Sequence, residues 1–551
     1  MAIKVTHIKP EFVDERGFIS RIIDQDKFPV RAFLYITSKK GTERANHYHK
    51  KDAHFVYCLS GKFKYSEKNM KIKNSRLESV ILNPGDLVLS EPMYAHSMEF
   101  LEDTIFLALT TENRSQEVYE EDTIRINLRE IKNLQKREAP KSQKLNYCRM
   151  CKNNKLKEVI SLGKTPPANS FLPKKNLQTE EDWFPLKVNY CKKCGQLQLS
   201  HVVSPDILFR DYVYVSSTSP VFRAHFEDYA IDIYQKFKLN KSSLVIDIGS
   251  NDGILLKPFK KLGTKVLGVD PATEIARQAS KEGVETLPEY FDQNLAKAIL
   301  EKYGPADVIT GNNVFAHVHD LDELVKAVLT LLKKEGIFVI EFPYLVNFIK
   351  QNLFDTIYHE HLSYLSLRPL KVLFERFNME IFDAIETPSH GGSLRVFVKR
   401  KGSGHRVKDS VKNLIKEEAA LGLINVATYL RFAKKIEANK KKLKTLLASL
   451  KKQGKTIAGY GAPAKGNTLL NFFKITPDTL KYIVDDSPYK QGLFTPGTHI
   501  PVLSPETLNT DTPDYIFILA WNFSDSIIKK LGNFKRGGGS FIIPVPEPKI
   551  L

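Results

Sequence analysis

The sequence predicts a multidomain chain: an all-β barrel at the N-terminus, a small metal-binding lobe and two Rossmann-like α/β lobes. Up to about residue 135 the chain alternates short apolar stretches with turn residues, which indicates an antiparallel barrel or sandwich. Four cysteines then form two CxxC pairs. Beyond them, two apolar strand patterns each run into a glycine turn and a helical pattern, which is typical of doubly wound α/β sheets.

Length and composition indicate a globular protein of several domains. The chain has 551 residues, of which 42% are hydrophobic and 26% charged, as in globular proteins with domains of ~100–200 residues. No run approaches ~18 apolar residues, and the opening segment MAIKVTHIKPEF lacks the pattern of a signal peptide. We therefore expect a cytoplasmic protein with no membrane partner. The net charge of +19 favours an anionic partner, either nucleic acid or a phosphorylated small molecule.

The predicted barrel carries a histidine-rich pattern. Gly41, His47, His49, His54 and Gly61 have the spacing of the first cupin motif, with a histidine where a glutamate usually stands, and residues 83–96, NPGDLVLSEPMYAH, resemble the second motif. Residues two apart on a strand face the same side, so His47 and His49 are expected to point into a jelly-roll barrel. Converging histidines can bind a metal, but the missing glutamate favours the cupins that work without one.

The segments RGFISRI, RANHYHKKDAHFVYCLSGK and RSQEVYEEDTIRI resemble the sugar-nucleotide 3-epimerases and 3,4-ketoisomerases. The resemblance implies that His49 or His47 removes the proton next to a 4-keto group, and that the chain forms a homodimer through the cupin. The alternative is a cupin that only binds sugar nucleotide or only dimerises. Further candidates, for binding phosphate or enolate and for returning the proton, are Arg44, Lys62, Tyr94 and His96.

The four remaining cysteines predict a structural metal site. Cys148 and Cys151 form one CxxC pair, and Cys191 and Cys194 form the other. Four thiolates complete a tetrahedral Zn²⁺ site and leave no open position, whereas a redox CxxC occurs singly beside a βαβ unit. A zinc ribbon in a basic protein also raises a nucleic-acid methyltransferase as an alternative. The nearly uncharged segment DYVYVSSTSP that follows argues against a nucleic-acid partner, because phosphate binding needs several cations.

Residues 244–270 read as strand, glycine turn, helix and strand, with an acid at the tip of the second strand. Such an acid can bind the hydroxyls of a ribose, which predicts an adenosine ligand. The turn lacks the G-x-G-x-x-G pattern of dinucleotide folds and adds an acid in the first strand, which favours the cationic S-adenosylmethionine (SAM) over NAD. The residues expected to bind it are Asp247, Gly249, Asn251, Gly253, Asp270, Asn312 and Asn313.

Residues 355–364, DTIYHEHLSY, place several ionisable side chains next to one another. Their spacing is not that of the H-E-x-x-H zinc proteases. Such a group is costly to bury unless its members have partners. A catalytic acid–base cluster and a hydrogen-bonded network that braces a turn are both possible interpretations, and we favour the catalytic one.

The double CxxC, VYVSSTS, DIGSNDG, NNVFAHV, YHEHLSY and HGGSLR together resemble, in order, the sugar 3-C-methyltransferases of deoxysugar biosynthesis, from about residue 146 onwards. The resemblance implies SAM at the glycine turn and a nucleotide-linked 4-keto-6-deoxyhexose, of the dTDP or GDP type, beside it. The proton on C3 is acidic because it lies next to the ketone, and His361 is the expected base. Glu360 would orient a histidine or a sugar hydroxyl, while Tyr358, His317 and Tyr212 would stabilise the enolate.

The C-terminal residues predict a second Rossmann-like lobe, because 455–466, KTIAGYGAPAKG, repeats the strand and glycine-turn pattern. Alone this turn would suggest a dinucleotide. In context we expect it to pack against the SAM lobe and to help hold the diphosphate of the sugar nucleotide. The candidates to bind that substrate are His390, Ser393, Arg395 and Lys465.

These patterns predict a bifunctional enzyme, with an epimerising or isomerising cupin joined to a C-methyltransferase. The alternatives are a C-methyltransferase with a non-catalytic cupin and the nucleic-acid methyltransferase. The expected parts are a cupin domain at 1–135, a linker at 136–145, a zinc-binding lobe at 146–225, a methyltransferase domain at 226–405 and a Rossmann-like domain at 406–551.

Overall fold

The computed structural model describes residues 3–25, 27–71, 75, 77–126, 141–209 and 220–551. They belong to two compact units, Met1–Pro140 and Lys141–Leu551. No helix in this described part of the chain is long and apolar enough to cross a membrane. Tyr212 and the first half of the predicted linker lie outside the described residues, and the predicted domain boundaries stay predictions.

The N-terminal unit is built from antiparallel strands. Its elements are β1 (Val5–His7), β2 (Phe12–Asp14), β3 (Gly17–Ile19), β4 (Ala32–Ser38), β5 (Glu43–His49), β6 (His54–Ser60), β7 (Phe63–Asn69), β8 (Glu78–Leu82), β9 (Asp86–Ser90), β10 (Tyr94–Phe100), β11 (Thr104–Thr110), α1 (Gln116–Asp122) and β12 (Thr123–Arg125). Two five-stranded sheets have the orders β1-β9-β6-β11-β4 and β12-β5-β10-β7-β8. Val56 and Phe106 of the first sheet pack against Phe63, Tyr65 and Phe100 of the second. The predicted all-β, cupin-like fold is confirmed.

The zinc-binding lobe follows as a small antiparallel region. Its elements are β13 (Ser142–Lys144), β14 (Leu156–Thr165), β15 (Leu172–Pro173), β16 (Phe184–Cys191), β17 (Leu197–Leu199), β18 (His201–Val203) and α2 (Pro205–Phe209). Strands β14, β16 and β17 pair in that order, and β13 pairs with β18. Strand β13 lies within the second half of the predicted linker.

The region that the sequence predicts to be the methyltransferase domain forms a doubly wound sheet, as predicted. Its elements are α3 (Pro220–Lys236), β19 (Leu244–Ile248), α4 (Leu256–Lys261), β20 (Lys265–Val269), α5 (Thr273–Lys281), β21 (Thr286–Leu287), α6 (Gln293–Tyr303), β22 (Ala306–Asn312), α7 (Leu321–Leu331), β23 (Leu332–Pro343), α8 (Leu345–Lys350), β24 (Ser363–Tyr364), α9 (Leu367–Glu375), β25 (Met379–Thr387) and β26 (Ser393–Arg400). The seven-stranded sheet has the order β21-β20-β19-β22-β23-β26-β25. Strand β24 instead pairs with β17 of the zinc-binding lobe.

The order of this sheet places its ligand site. Strand β19 is buried along its whole length, as a central parallel strand must be. It pairs with β20 on one side and with β22 on the other, so the winding direction reverses there. Ligands of such sheets bind beyond the carboxyl ends of the strands at this reversal. Asp247, Asp270 and Asn312 lie at or next to those strand ends.

The C-terminal lobe repeats this plan. Its elements are α10 (Asp409–Ala420), α11 (Val426–Lys452), β27 (Ile457–Tyr460), α12 (Ala464–Phe473), β28 (Ile483–Val484), β29 (Leu493–Phe494), β30 (Val502–Leu503), α13 (Thr507–Thr510), β31 (Tyr515–Ile518), α14 (Ser524–Lys530), α15 (Gly532–Arg536), β32 (Ser540–Ile543) and β33 (Lys549–Ile550). The sheet order is β30-β28-β27-β31-β32-β33. Helix α11 buries Tyr429, Phe432, Ile436, Leu443 and Leu447, whose spacing is that of one helix face.

Candidate active site and metal centre

The four cysteines of the zinc-binding lobe converge as predicted. Their Sγ atoms lie within 4.8 Å of one another, and Cys148 Sγ is 3.5 Å from Cys194 Sγ. Cys151 Sγ is 3.6 Å from Cys191 Sγ. None of the four is in a disulfide. Four sulfur donors at this spacing fit a tetrahedral Zn²⁺ ion and leave no coordination position for a reactant.

The glycine turn after β19 is tied to the end of β20 through Asp270. The Asp270 carboxylate accepts hydrogen bonds from the backbone N–H groups of Asn251 (2.8 Å) and Ala272 (2.9 Å). Gly249 has a φ of +69°, and a Cβ there would lie 2.3 Å from Val314 Cγ2. Only glycine fits this position. The turn therefore stays close to the strand ends, where a ligand can approach its backbone.

Polar side chains are buried at the same sheet edge. Thr310 Oγ1 donates a 2.6 Å hydrogen bond to Asp247 Oδ1, and burial raises the pKa of Asp247 to about 7. The Asn313 backbone N–H donates to the Glu341 carbonyl at 2.7 Å. Asn313 Oδ1 is buried without a hydrogen-bond partner among the described residues. A buried acceptor of this kind is satisfied when a bound molecule supplies a donor.

Two histidines and a tyrosine meet just beyond β22. The rings of His317 and His361 lie edge to face with centroids 4.9 Å apart. His361 Nδ1–H donates to the Thr356 carbonyl at 2.8 Å, and Nε2 of the same ring lies 2.9 Å from the Tyr358 hydroxyl, from which it accepts when it carries no proton. Burial, followed by the charge of His361, lowers the pKa of His317 well below its usual value. His317 is therefore neutral at pH 7.

The side chains of His359 and Glu360, which lie between Tyr358 and His361 in the sequence, have partners in another part of the structure. His359 Nε2 lies 3.3 Å from the Phe184 carbonyl. Glu360 Oε1 accepts a 2.7 Å hydrogen bond from Asn169 Nδ2, and burial raises the pKa of Glu360 to about 7. The loop thus presents His361, with Tyr358 bonded to it, to His317. His359 and Glu360 instead face Phe184 at the start of β16 and Asn169 before it.

A second buried network lies at the end of β23, around Glu341. Its carboxylate accepts hydrogen bonds from His225 Nε2 (2.6 Å), Ser389 Oγ (2.8 Å) and Arg395 Nε (2.8 Å). Burial opposes ionisation, but the His225 hydrogen bond and the Arg395 charge outweigh it and lower the pKa of Glu341 to about 2. The Arg395 guanidinium also lies 3.7 Å from the ring centroid of Tyr229. Glu341 is therefore ionised and fully partnered.

The histidines of the N-terminal unit also converge. Ring centroids of His47 and His96 are 4.8 Å apart, and those of His54 and His96 are 4.5 Å apart. His49 Nδ1 lies 3.3 Å from Asp122 Oδ2, while its buried Nε2 has no hydrogen-bond partner among the described residues. Burial lowers the pKa of His47 to about 4 and of His49 to about 3. These rings are neutral at pH 7, so they can accept protons.

Three family models match successive parts of the chain. They are a zinc binding domain over residues 148–209, a methyltransferase domain over 222–384 and a C-methyltransferase C-terminal domain over 388–546. The C-methyltransferase NovU of Streptomyces niveus is 37% identical over 407 residues, which make up 74% of this chain and 97% of that protein. This chain belongs to the C-methyltransferase family. The predicted resemblance is confirmed, and the methyltransferase domain implies SAM as the methyl donor.

Other similar proteins match smaller parts of this chain. The ubiquinone biosynthesis O-methyltransferase of Methylobacterium nodulans is 33% identical over 95 residues, 17% of this chain and 38% of that enzyme. A doubly substituted QdtA 3,4-ketoisomerase from Thermoanaerobacterium thermosaccharolyticum, in complex with TDP, is 27% identical, covers 25% of this chain and 97% of its own, and has a TM-score of 0.20. The epimerase RmlC from Legionella pneumophila is 19% identical over 23% of this chain and 72% of its own, with a TM-score of 0.20.

The structure brings most predicted methyltransferase residues to one region but gives some of them other partners. Arg395 is paired with Glu341 inside the protein. Ser393 Oγ donates to the Ser389 carbonyl at 3.0 Å, within the short turn that contains His390. Lys465 lies 4.6 Å from the Trp521 ring centroid and bonds Asn522. The His390 side chain lies outside the described residues.

Two predicted cupin residues lie outside the histidine cluster, and the side chain of a third is bonded to another residue. Arg44 is exposed, and its guanidinium bonds Ser38 Oγ and the Thr37 carbonyl on β4. Lys62 follows the far end of β6, the strand that begins at His54. The Tyr94 hydroxyl accepts a 2.8 Å hydrogen bond from Asn69. His96 is the one of the four further cupin candidates that the structure shows in the ring cluster.

Two acids that the sequence analysis did not select belong to these sites. Glu341 ends the apolar run GIFVIE, and a charged residue at the carboxyl end of a buried parallel strand is a signal for a ligand site. Asp122 is the last residue of the polar helix α1, whose seven residues include four acids. Nothing in that pattern distinguishes Asp122 from its neighbours, and only the pairing of β12 with β5 brings it beside His49.

Proposed function

We propose that this C-methyltransferase transfers a methyl group from SAM to C3 of a nucleotide-linked 4-keto-6-deoxyhexose through a C3 enolate. The contact of His317 with the pair formed by His361 and Tyr358, beside the SAM-side strand ends, carries this proposal. The C3 proton lies next to a ketone. Its removal requires a base that is neutral near pH 7 and a donor for the oxygen that becomes charged.

The residues around the glycine turn would hold the methyl donor. When bound, SAM supplies a methyl group on a positively charged sulfur. Asp270 and the backbone of Asn251 lie where a ribose meets the second strand, and Asn313 offers a buried acceptor. Asp247 braces the turn through Thr310. The four-cysteine cluster would hold a structural Zn²⁺ ion.

His361 is the proposed base. The Thr356 carbonyl fixes the proton on Nδ1, so Nε2 is the atom that takes the C3 proton. The Tyr358 hydroxyl lies 2.9 Å from that nitrogen and would donate to the enolate oxygen. Neutral His317 is a second donor beside it. Glu360 would keep the loop in place through Asn169, and the roles of Tyr212, His390 and Ser393 stay proposals.

The nucleotide of the substrate is proposed to bind the C-terminal lobe, because its glycine turn is built like the first one. Gly461 N–H donates to the Val484 carbonyl at 2.7 Å. The Asp485 carboxylate accepts from Ala462 N–H (2.6 Å) and Ser487 N–H (2.8 Å), as Asp270 does from Asn251 and Ala272. Lys465 lies in the first turn of α12 and would bind the diphosphate there.

A second activity is proposed for the cupin, which would epimerise the 4-keto sugar or shift its keto group between C4 and C3. Asp122 beside Nδ1 of His49 favours a proton on that nitrogen and leaves Nε2 as the base. His47 and His96 surround it. A cupin that only binds sugar nucleotide would not exchange the protons next to the keto group with solvent.

The cupin unit is also proposed to form a homodimer. The β2–β3 hairpin exposes Phe12, Val13, Phe18 and Ile19 by 66% to 75%. Strand β4 is the edge of its sheet, and its Phe33 is 60% exposed. An exposed apolar hairpin and the edge strand of a sheet are each surfaces that a second copy can cover.

Both activities can be tested in the full-length chain, methyl transfer by the product mass in ordinary water and the cupin by proton exchange in heavy water. With a dTDP-linked 4-keto-6-deoxyhexose and SAM, we expect a product 14 mass units heavier that carries the methyl on C3. His361→Asn should lower methyl transfer by about 10²–10⁴-fold while SAM affinity is retained. His359→Asn is the matched control, because His359 lies in the same loop but turns to Phe184. Turnover near wild type in His361→Asn would exclude His361 as the base.

The cupin activity is read in the same variant. Without SAM, deuterium entering C3 or C5 in His361→Asn comes from the cupin, and the additional change His49→Asn should abolish it. No deuterium in His361→Asn would leave the cupin as a binding or dimerisation domain. Exchange that survives the double substitution would assign it to another base.

A further inference from the structure

The zinc-binding lobe shares a sheet with the chain that leaves the proposed catalytic loop, which is defined here as residues 355–361. Strand β24 follows His361 after a single residue and pairs with β17, with Ser363 opposite Gln198. The Leu199 N–H also donates to the Leu362 carbonyl at 3.0 Å. The chain that leaves the catalytic loop is therefore the fourth strand of the zinc-lobe sheet.

One side chain of the metal knuckle, the turn formed by residues 148–151, reaches both catalytic segments. These are the segments that contain His317 and His361. Arg149 lies between the two cysteines of the first CxxC pair and is 3% exposed. Its guanidinium donates to Ser363 Oγ and to the carbonyls of Val318 and His319. Val318 directly follows His317, and Ser363 is two residues after His361. Arg149 thus contacts the chain immediately beyond each of the two histidines.

The backbone links the same two segments. The N–H groups of Leu362 and Ser363 both donate to the Ala316 carbonyl, at 2.9 and 3.3 Å. The Arg149 N–H donates to Gln198 Oε1 at 2.9 Å, which fixes the knuckle to β17. A guanidinium presents its N–H donors in a rigid plane. It can therefore hold a hydroxyl and two carbonyls at once, whereas the single ammonium of a lysine cannot span them.

We infer that Arg149 is a positioning residue that sets the spacing of His317 and His361, so that the metal knuckle acts on proton removal through geometry. This inference rests on the proposed roles of the two histidines. The cysteines on either side hold the Arg149 backbone in place. Its guanidinium in turn holds the chain that follows His317 and the chain that follows His361. The metal itself stays closed to the reactants.

Substitutions of Arg149 and of its partner test the inference in the full-length, zinc-loaded protein. Arg149→Met removes all three contacts. Arg149→Lys keeps the positive charge but lacks the planar guanidinium with its several N–H donors. Ser363→Ala removes one acceptor and leaves the other contacts of Arg149 in place. Arg376→Met is the matched control. Arg376 also bonds the knuckle, at the Met150 carbonyl (2.7 Å), but its other partner is Asp322.

The readouts are zinc content, SAM affinity, kcat, and the ¹⁵N ring signals of His317 and His361, assigned by their loss in single Asn variants. In Arg149→Met and Arg149→Lys we expect the ring signals to shift and kcat to fall by about 10- to 100-fold, with zinc content and SAM affinity retained. Ser363→Ala should change both in the same direction by less. Arg376→Met should leave the ring signals and kcat as in wild type.

Ring signals that stay at their wild-type positions in the Arg149 variants would overturn the inference. If those variants lose zinc or do not fold, unchanged ring signals and kcat in Ser363→Ala would overturn it in the same way. Shifted ring signals with unchanged kcat would keep the positioning contact and reject the proposed role of the histidines. The failure of the inference and that of the proposed function are thus separable.

Discussion

At the scale of single residues, the partners of a buried acid decide whether it is charged. Asp247 and Glu341 both lie at strand ends of one sheet and are 4% and 1% exposed. Glu341 has a histidine and an arginine as partners, and its pKa is about 2. Asp247 accepts a hydrogen bond from the uncharged Thr310 hydroxyl, and burial raises its pKa to about 7. At neutral pH Glu341 is therefore ionised, whereas Asp247 keeps its proton in about half of the molecules.

The raised pKa of Asp247 makes the stability of the protein depend on pH. The folded protein keeps this proton up to about pH 7, whereas the unfolded chain releases it near the ordinary value of 3.8. The free energy of unfolding therefore falls as pH rises from about 4 to 7, by about 1.4 kcal/mol for each pH unit. Asp247→Asn should remove this fall and make the ligand-free variant more stable than wild type at pH 8.

Denaturant unfolding at pH 4 and pH 8 measures this effect. At pH 4 the two proteins should be equally stable, because Asp247 is then protonated in the folded wild type and resembles asparagine. A difference that is the same at both pH values would show that the substitution acts through packing and not through the proton.

Candidate residues that stand in a local sequence motif could be selected from the sequence. Residues whose place in a site depends on a partner far away in the chain could not. The cysteine pairs, Gly249, Asp270 and His361 stand in local patterns whose chemistry is recognisable in the sequence. Arg149, Asn169 and Asp122 belong to the same sites, but each meets its partner across a long stretch of chain. No local pattern records such a contact.

At the scale of elements, the loop that carries the proposed base is held from the C-terminal lobe as well as from the zinc-binding lobe. Trp521 Nε1 donates a 2.6 Å hydrogen bond to Asp355 Oδ2, and Thr468 Oγ1 donates to the Ile357 carbonyl at 3.1 Å. These two bonds lie on either side of Thr356. The Thr356 carbonyl accepts the Nδ1 proton of His361, so the two bonds help fix the ring of the proposed base.

Trp521→Phe removes the donor to Asp355 and keeps the aromatic ring. The carboxyl group is 0% exposed, so loss of the donor should cost about 1–3 kcal/mol in the free energy of unfolding. We also expect kcat to fall by about tenfold or more, since the loop that orients His361 is released. Steady-state kinetics and SAM titration check whether kcat falls while SAM affinity stays the same.

The other tryptophan of the chain is the control for this substitution. Trp183 is 45% exposed, and Trp183→Phe should leave kcat unchanged. A loss of stability in Trp521→Phe without a change in kcat would restrict Trp521 to a structural role.

At the scale of the whole molecule, exposed aromatic side chains predict the assembly. Phe18 on the β2–β3 hairpin and Tyr489 in the C-terminal lobe are both 70% exposed. The first belongs to the apolar surface proposed for the dimer, and the second does not. Sedimentation of wild type should give a dimer, Phe18→Lys should shift it towards monomer, and Tyr489→Lys should leave it dimeric. A wild-type monomer at micromolar concentration would contradict the proposed assembly.

The sequence by itself determined the chemistry of this C-methyltransferase. It determined the sulfur donors, the two glycine turns and the YHEH segment, because each is a short-range pattern with its own physical reason. The tertiary structure decided how these parts are joined. It turned His359 and Glu360 away from His361, enclosed Arg395 with Glu341 and brought Arg149 to both catalytic segments. Such contacts depend on how separate elements pack, and that packing follows from the burial of all of them together.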